Sequence, residues 1–194
     1  MIESAFETDR KFSFDIILKE AGEITDEEKE ELMQLSIEMF PEYADLYRKN
    51  KYYSAFEPQK SWLVRHEGKI VGTGKFLWKD LSFDDVTLRM CGFGGLVLDM
   101  YQQKGIGTSI LEAAIQETQR ASGDFLYAST ENGVADEMLL AQGFELLNVP
   151  VVYNQPGENE VLPLNKRIYV YEITPGTLDK LKAQETLNIG DGPV

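Results

Sequence analysis

The feature that most constrains this chain is the run Gly94-Gly95-Leu96-Val97-Leu98-Asp99-Met100-Tyr101-Gln102-Gln103-Lys104-Gly105-Ile106-Gly107-Thr108, where an apolar strand passes through a short turn into a glycine-rich helix start. Glycines at 105 and 107 leave no Cβ in the way of an approaching group, so the unpaired N–H groups from Gln103 to Thr108 can converge on one anion. The helix dipole adds to that attraction. The junction is therefore a candidate phosphate seat.

Two familiar glycine-rich loops do not fit. The third glycine of a dinucleotide fingerprint would fall at Ile110, and Gly107 is followed by Thr108-Ser109 rather than the Lys-Ser/Thr of a P-loop. The pattern that does fit is Gln/Arg-x-x-Gly-x-Gly/Ala, here Gln102-Gln103-Lys104-Gly105-Ile106-Gly107, which resembles the acetyl-CoA-binding motif of the GCN5-related N-acetyltransferases (GNAT). A Val/Leu-rich strand precedes it, and an amphipathic helix with Ile106, Ile110, Leu111, Ala114 and Ile115 follows. A second block, Asn132-Gly133-Val134-Ala135-Asp136-Glu137-Met138-Leu139-Leu140-Ala141-Gln142-Gly143-Phe144, is similar to the family's downstream pattern. Asn132, Ala135, Gly143 and Phe144 take their usual places, Met138 stands where Leu is common, and Leu139 replaces a Tyr.

The resemblance implies an α+β, three-layer GNAT (acyl-CoA N-acyltransferase) fold: a mixed, mostly antiparallel central sheet, splayed at its fourth and fifth strands and flanked by helices. It implies acetyl-CoA as cosubstrate. Gly95, Leu96 and Val97 would pair with the pantetheine arm, Gln103, Lys104, Gly105, Ile106, Gly107 and Thr108 would surround the phosphates, and Asn132 would contact the cosubstrate while also capping a helix. Direct attack by a neutral amine would leave an oxyanion held by a strand N–H, for which Val97 is the catalytic candidate. Gly92, Gly94 and Gly95 would mark a bulge or a close backbone contact in the central strand. The position where histone-type members carry a base Glu holds Cys91, and a thiol of ordinary pKa near 8.5 is a poor base at neutral pH, so Cys91 reads as packing. A water chain ending on an unassigned carboxylate would then serve as base. With Leu139 in the Tyr position the usual acid is missing; Tyr101, Tyr127 and Tyr153 are the candidates, and each also reads as structural.

Across 194 residues the chain carries 19 Lys and Arg against 33 Asp and Glu, a formal charge of −14, which argues against a nucleic-acid partner. The length fits one domain, with a core at about 12–182 and a mobile tail over 183–194. No run approaches the roughly 20 apolar residues of a membrane span, and the start Met1-Ile2-Glu3-Ser4 lacks secretory features, so no membrane partner and a cytoplasmic location are expected. One cysteine and one histidine, Cys91 and His66, cannot build a Cys/His zinc set, so no metal is expected.

Three functions compete. The leading one is acetyl transfer to the primary amine of a small molecule, with a polyamine or aminoglycoside drawn in by acidic residues such as Glu42, Asp84, Asp85, Glu158 and Glu160. The layout after Phe144 is loosely similar to aminoglycoside 2'-N-acetyltransferases. The others are a protein or peptide N-acetyltransferase and an acyl-CoA-binding sensor without turnover. The resemblance leaves room for a homodimer.

Along the chain, Phe12, Phe14, Ile16 and Leu18 predict a first strand. Thr25 with Glu28 forms a capping box for a helix with Leu32, Leu35, Met39 and Phe40 inward, and the acidic group Glu23, Asp26, Glu27, Glu28, Glu30 and Glu31 reads as its solvated front. Pro41 starts a short helix to about Lys49. Trp62–His66 and Ile70–Trp78 form a hairpin around Glu67-Gly68-Lys69, with His66 exposed. Asp80–Asp85 reads as a polar loop, Val86–Leu98 as the long central strand and Phe125–Ser129 as a strand. A helix ends at Gly143, and a strand follows from Phe144. Asn154–Asn165 reads as a long loop, Arg167–Ile173 as the last strand and Leu178–Lys182 as a terminal helix.

Overall fold

The computed structural model describes residues 13–49, 58–83, 86–154 and 160–191. Phe12, most of the aromatic stretch before Pro58, Asp84, Asp85, the Pro156-Gly157 turn and Glu158 lie outside them. The elements are β1 (Asp15–Glu20), α1 (Asp26–Met39), α2 (Ala44–Lys49), β2 (Lys60–His66), β3 (Lys69–Phe83), β4 (Val86–Val97), α3 (Ile106–Arg120), β5 (Phe125–Thr130), α4 (Gly133–Ala141), β6 (Glu145–Leu146), β7 (Val151–Asn154), β8 (Val161–Pro163), β9 (Arg167–Glu172), α5 (Thr177–Lys182) and β10 (Leu187–Asp191). Seven strands form a sheet in the order β1-β2-β3-β4-β5-β9-β6, and β10-β7-β8 form a second, smaller one. Within the large sheet β4 and β5 run parallel and every other neighbour is antiparallel.

Strand alternation decides which side chains meet which layer. Cys91 and Phe93 of β4 face α3 and α4, where they join Ile106, Ile110, Leu111, Ala114, Leu139 and Phe144 in one core. Leu88 and Met90 face the other way and pack with Phe125, Tyr127, Val170, Leu181, Leu187 and Ile189. Further along that second face, Leu96 and Leu98 meet Ile24, Leu32 and Leu35 from α1 and its approach.

Local signals operate as the sequence predicts. Thr25 accepts from the Glu28 N–H while the Glu28 carboxylate accepts from the Thr25 N–H, closing the capping box. Glu67 at φ 50° and Gly68 at φ 83° form a tight hairpin turn with both central residues left-handed.

Five expectations are corrected. Within the expected loop Asp80–Asp85, the described residues 80–83 are strand: β3 continues to Phe83 and pairs with β4 as far as Phe83↔Val86, with Asp80 held by Arg89 at 2.9 Å on the facing strand. Within Asn154–Asn165, residues 161–163 form β8 on β7. Within the expected tail, residues 187–191 are tied down instead, because Leu187 and Ile189 alternate inward and β10 pairs in parallel with β7. Glu28 is not part of a solvated front; it is 9% exposed and bonded by Lys19 at 2.7 Å and Arg65 at 3.2 Å. His66 is half-buried, with Nδ1 2.7 Å from the Ser13 carbonyl and its ring edge-on to Tyr101.

Candidate active site

β4 and β5 pair from Met90↔Phe125 to Phe93↔Ala128 and then part, β4 continuing to Val97 while Ser129 and Thr130 pair only with β9. The result is a gap that closes at Phe93. Its β4 wall can be read from the ladder. The Arg89 amide and carbonyl bond toward Asp124 at the start of β5, whereas the Leu98 N–H donates back to Val71 at 3.0 Å. Since the β3–β4 register is unbroken, odd-numbered residues turn their main-chain groups toward β5 and even-numbered ones toward β3. Gly95 and Val97 therefore present N–H groups to the gap. Leu96 does not: its amide belongs to the ladder with Thr73, and its side chain packs beneath α1. The unbroken register also means that the expected bulge is absent on the β3 side. Gly95 instead makes a close contact, where a Cβ would come within 3.0 Å of the Phe93 ring.

At the open end the chain turns through Asp99–Tyr101 into α3. Gln102 braces this turn, donating to the Val97 carbonyl at 3.3 Å and to Asp99 at 2.7 Å. Gln103 at φ 59° and Gly105 at φ 82° put left-handed residues either side of Lys104, a geometry that curls successive N–H groups toward one point. Gly105 is the N-cap residue and supplies no side-chain acceptor. The first helical bond runs from Ser109 N–H to the Gly105 carbonyl, so the N–H groups of Ile106, Gly107 and Thr108 have no partner inside the helix. These donors fit a phosphate group.

Asn132 caps α4 by accepting from Val134 N–H at 2.9 Å, and so its side-chain oxygen is engaged. Leu139 is 2% exposed in the α3–α4 core. Cys91 is buried against Thr118 and Gly123 on the α3 side, and burial pushes its thiol up to about 11, which suits packing and not proton transfer at neutral pH. Tyr127 is fully enclosed in the paired part of β5, and burial raises its hydroxyl pKa; Tyr153 lies on β7 in the second sheet. Among the described residues no group of three or more His, Cys, Asp or Glu is arranged to hold a metal, and no helix is long and apolar enough to cross a membrane.

The sequence reading missed Lys75. It stands in β3 between Gly74 and Phe76, paired with Ser61 of β2 and Gly94 of β4, and burial pulls its ammonium down to about 7. A lysine interrupting the run Ile70-Val71-Gly72-Thr73-Gly74 and Phe76-Leu77-Trp78 was the available signal.

A sheet that parts at its one parallel pair, beside a helix start with convergent N–H groups, defines an acyl-CoA-dependent transferase architecture. The chain belongs to the Acetyltransferase (GNAT) family, whose model matches residues 25–144, and it is an N-acetyltransferase of that family. No curated protein sequence matches it. Similar solved structures include ElaA of Escherichia coli, 14% identical with a TM-score of 0.59, covering 82% of this chain and all of that one. The ribosomal-protein-S18-alanine N-acetyltransferase of Escherichia coli is 14% identical with a TM-score of 0.53, covering 82% of this chain and 95% of that one. The aminoglycoside N-acetyltransferase AAC(6')-Iy in complex with CoA is 16% identical with a TM-score of 0.52, covering 71% and 91%. At these identities the likeness is one of fold.

Proposed function

We propose that this chain transfers the acetyl group of acetyl-CoA to the primary amine of a cationic small molecule by direct attack. The observation that carries the cosubstrate is the set of N–H groups at Ile106, Gly107 and Thr108 that have no partner inside the helix, beside the gap between β4 and β5. In this reading Gln103 to Thr108 cradle the phosphates, Gly95 and Val97 line the arm with their main-chain groups, Leu96 shapes the wall and Asn132 borders the far side. The charge developing on the thioester oxygen is met by a strand N–H, with Val97 and Gly95 the two that face the gap.

The cationic acceptor is supported by charge. Besides the net −14, an open groove of about 940 Å3 between α1 and the ends of β3 and β4 is lined by Asp26, Glu27, Glu30, Glu31 and Glu38. Such a field raises the local concentration of cations and weakens with salt, the screening length being about 8 Å at physiological ionic strength.

The test is release of free thiol from acetyl-CoA with polyamines, aminoglycosides, neutral amino acids and basic peptides, each at two salt concentrations. Capture of a small polycation that weakens in high salt supports the reading. A peptide as best substrate moves the acceptor to protein, an anionic amine indifferent to salt removes the electrostatic argument, and no thiol release with any amine overturns turnover on such acceptors.

A further inference from the structure

Lys75 occupies a place that the proposed reaction does not use. Its cross-strand partner Gly94 is the first residue of β4 beyond Phe93↔Ala128, the last rung shared with β5. Lys75 and Gly94 are thus neighbours at the closed end of the gap, with Cα atoms about 5.5 Å apart in a hydrogen-bonded antiparallel pair. Their side chains share the face opposite α3. On that face Gly94 is bare of the described residues: a Cβ there would meet none of them within 4 Å. With Gly92 also lacking a side chain two residues away, the route from Lys75 across β4 toward the gap carries no obstruction from that strand.

The thioester should arrive at this same end. The phosphate seat lies at the start of α3, and the β4 wall from Val97 back to Gly94 is about 10 Å long at 3.3 Å per residue. A pantetheine arm entering from the seat runs the length of that wall and presents its reactive end where the strands close.

We propose that Lys75 is an internal acetyl acceptor, so that the protein acetylates itself once at this residue when acetyl-CoA is present without another amine. This rests on the acetyl-CoA reading above. The Nζ lone pair attacks the thioester carbonyl carbon and the C–S bond breaks with its electron pair on sulfur. The proton lost from nitrogen balances the one that sulfur takes up. Acetyl-CoA and lysine thus become acetyl-lysine and CoA, with nothing oxidised or reduced. The amide formed is neutral, which ends the desolvation cost of a buried ammonium and prevents a second transfer.

Among the described residues, the charged groups that the ladders place on this face include Lys79 four residues along β3, Lys19 of β1 and Arg65 of β2, both bonded to Glu28 of α1, and Asp191 of β10 beside Lys79. Tyr127 of β5, paired with Gly92, also turns its side chain to this face. Burial, rather than any one of these, holds the Lys75 amine near 7.

The experiment incubates the purified protein with acetyl-CoA alone across pH 6 to about 10 and locates acetyl groups by peptide mass spectrometry, with acetyl-CoA binding followed separately by calorimetry. The expected result is one acetyl per chain, on Lys75, formed at a rate that climbs about tenfold per pH unit below 7 and levels off above it. Lys75→Arg should leave that peptide unlabelled. Gly94→Val, whose side chain fills the bare patch without touching the Gly95 or Val97 amides, should keep binding and lose labelling at Lys75. Bound acetyl-CoA with no acetyl on Lys75 overturns the proposal and leaves the proposed function standing. So does a Lys75 rate that keeps climbing to pH 10, as it does for exposed lysines. Absent binding overturns both.

Discussion

Gly107 and Met138 touch where the two sequence motifs meet: a Cβ on Gly107 would lie 3.0 Å from the Met138 sulfur. The second glycine of the proposed phosphate seat is therefore required by the packing of α4. Gly107→Val should overpack this contact and cost about 1–3 kcal/mol. Met138→Ala in the same chain should recover most of the loss, because the thioether is what the new methyls strike. Urea midpoints of the single and double variants measure the coupling, and additive effects would show that the contact is not the reason for the glycine.

Thr108→Glu separates ligand binding from folding. A Glu at the third helical position can reach back to the N-cap N–H and favours the helix dipole, so stability should hold or rise. The same carboxylate competes for the N–H groups proposed to hold phosphate. Acetyl-CoA affinity should fall at least tenfold, about 1.4 kcal/mol. Calorimetry together with thermal unfolding checks both halves, and undiminished affinity would move the phosphates elsewhere.

Glu28 gives a pH signature. Burial works against its charge, but bonds from Lys19, Thr25 and Arg65 outweigh it and hold the carboxyl below its ordinary range. A depressed folded pKa means that the stabilisation is complete above the unfolded value, near 4.5, and is lost as pH falls through the folded one. Glu28→Gln should cost about 1–2 kcal/mol at pH 7 and progressively less below pH 4. A deficit independent of pH would point to packing instead of charge.

Cys91 should resist thiol reagents in the native state at pH 8, because the thiol is buried and raised to about 11, and react promptly once the chain is unfolded. Rapid native labelling at Cys91 would contradict the packing role.

How much of this was legible in the sequence depended on distance along the chain. The strand–turn–helix junction at Gly105, the capping box at Thr25 and the Glu67-Gly68 turn are written in neighbouring residues, and the backbone takes the expected conformation at all three. β8 was invisible because it is short and lies within a stretch rich in turn residues, and β10 because it is short and is stabilised by pairing with β7, remote in sequence. The extension of β3 looked like a loop because Asp80 and Ser82 are polar, yet they face solvent-side partners Arg89 and Thr87 across the hairpin. Glu28 looked solvated because Lys19 and Arg65, which enclose it, stand on two other strands. At the site, residue identity marked the Gly95 to Val97 segment, but only the ladder told which amides face the gap. Lys75 was hidden because its neighbour Gly94 is assigned by register.

Truncation after Thr186 tests the unexpected terminal strand. Leu187 and Ile189, both essentially inaccessible, would leave the core, at about 1.5–3 kcal/mol each. That is a large part of a typical domain's stability, and the unfolding temperature should drop by many degrees. A truncated chain that melts like the full one would mean that β10 adds nothing.

The placement of β10 beside β7 also has a bearing on the order of assembly. β7 closes against β8 through a nearby stretch of chain, whereas its parallel pairing with β10 joins segments far apart, and the bond from Lys79 to the Asp191 carbonyl, 3.0 Å, fastens β10 to β3, more distant still. Contacts between remote segments carry the larger loop-closure cost, so the β7–β10 rung should form after the Glu67-Gly68 hairpin and the glycine-rich helix start, whose contacts are local.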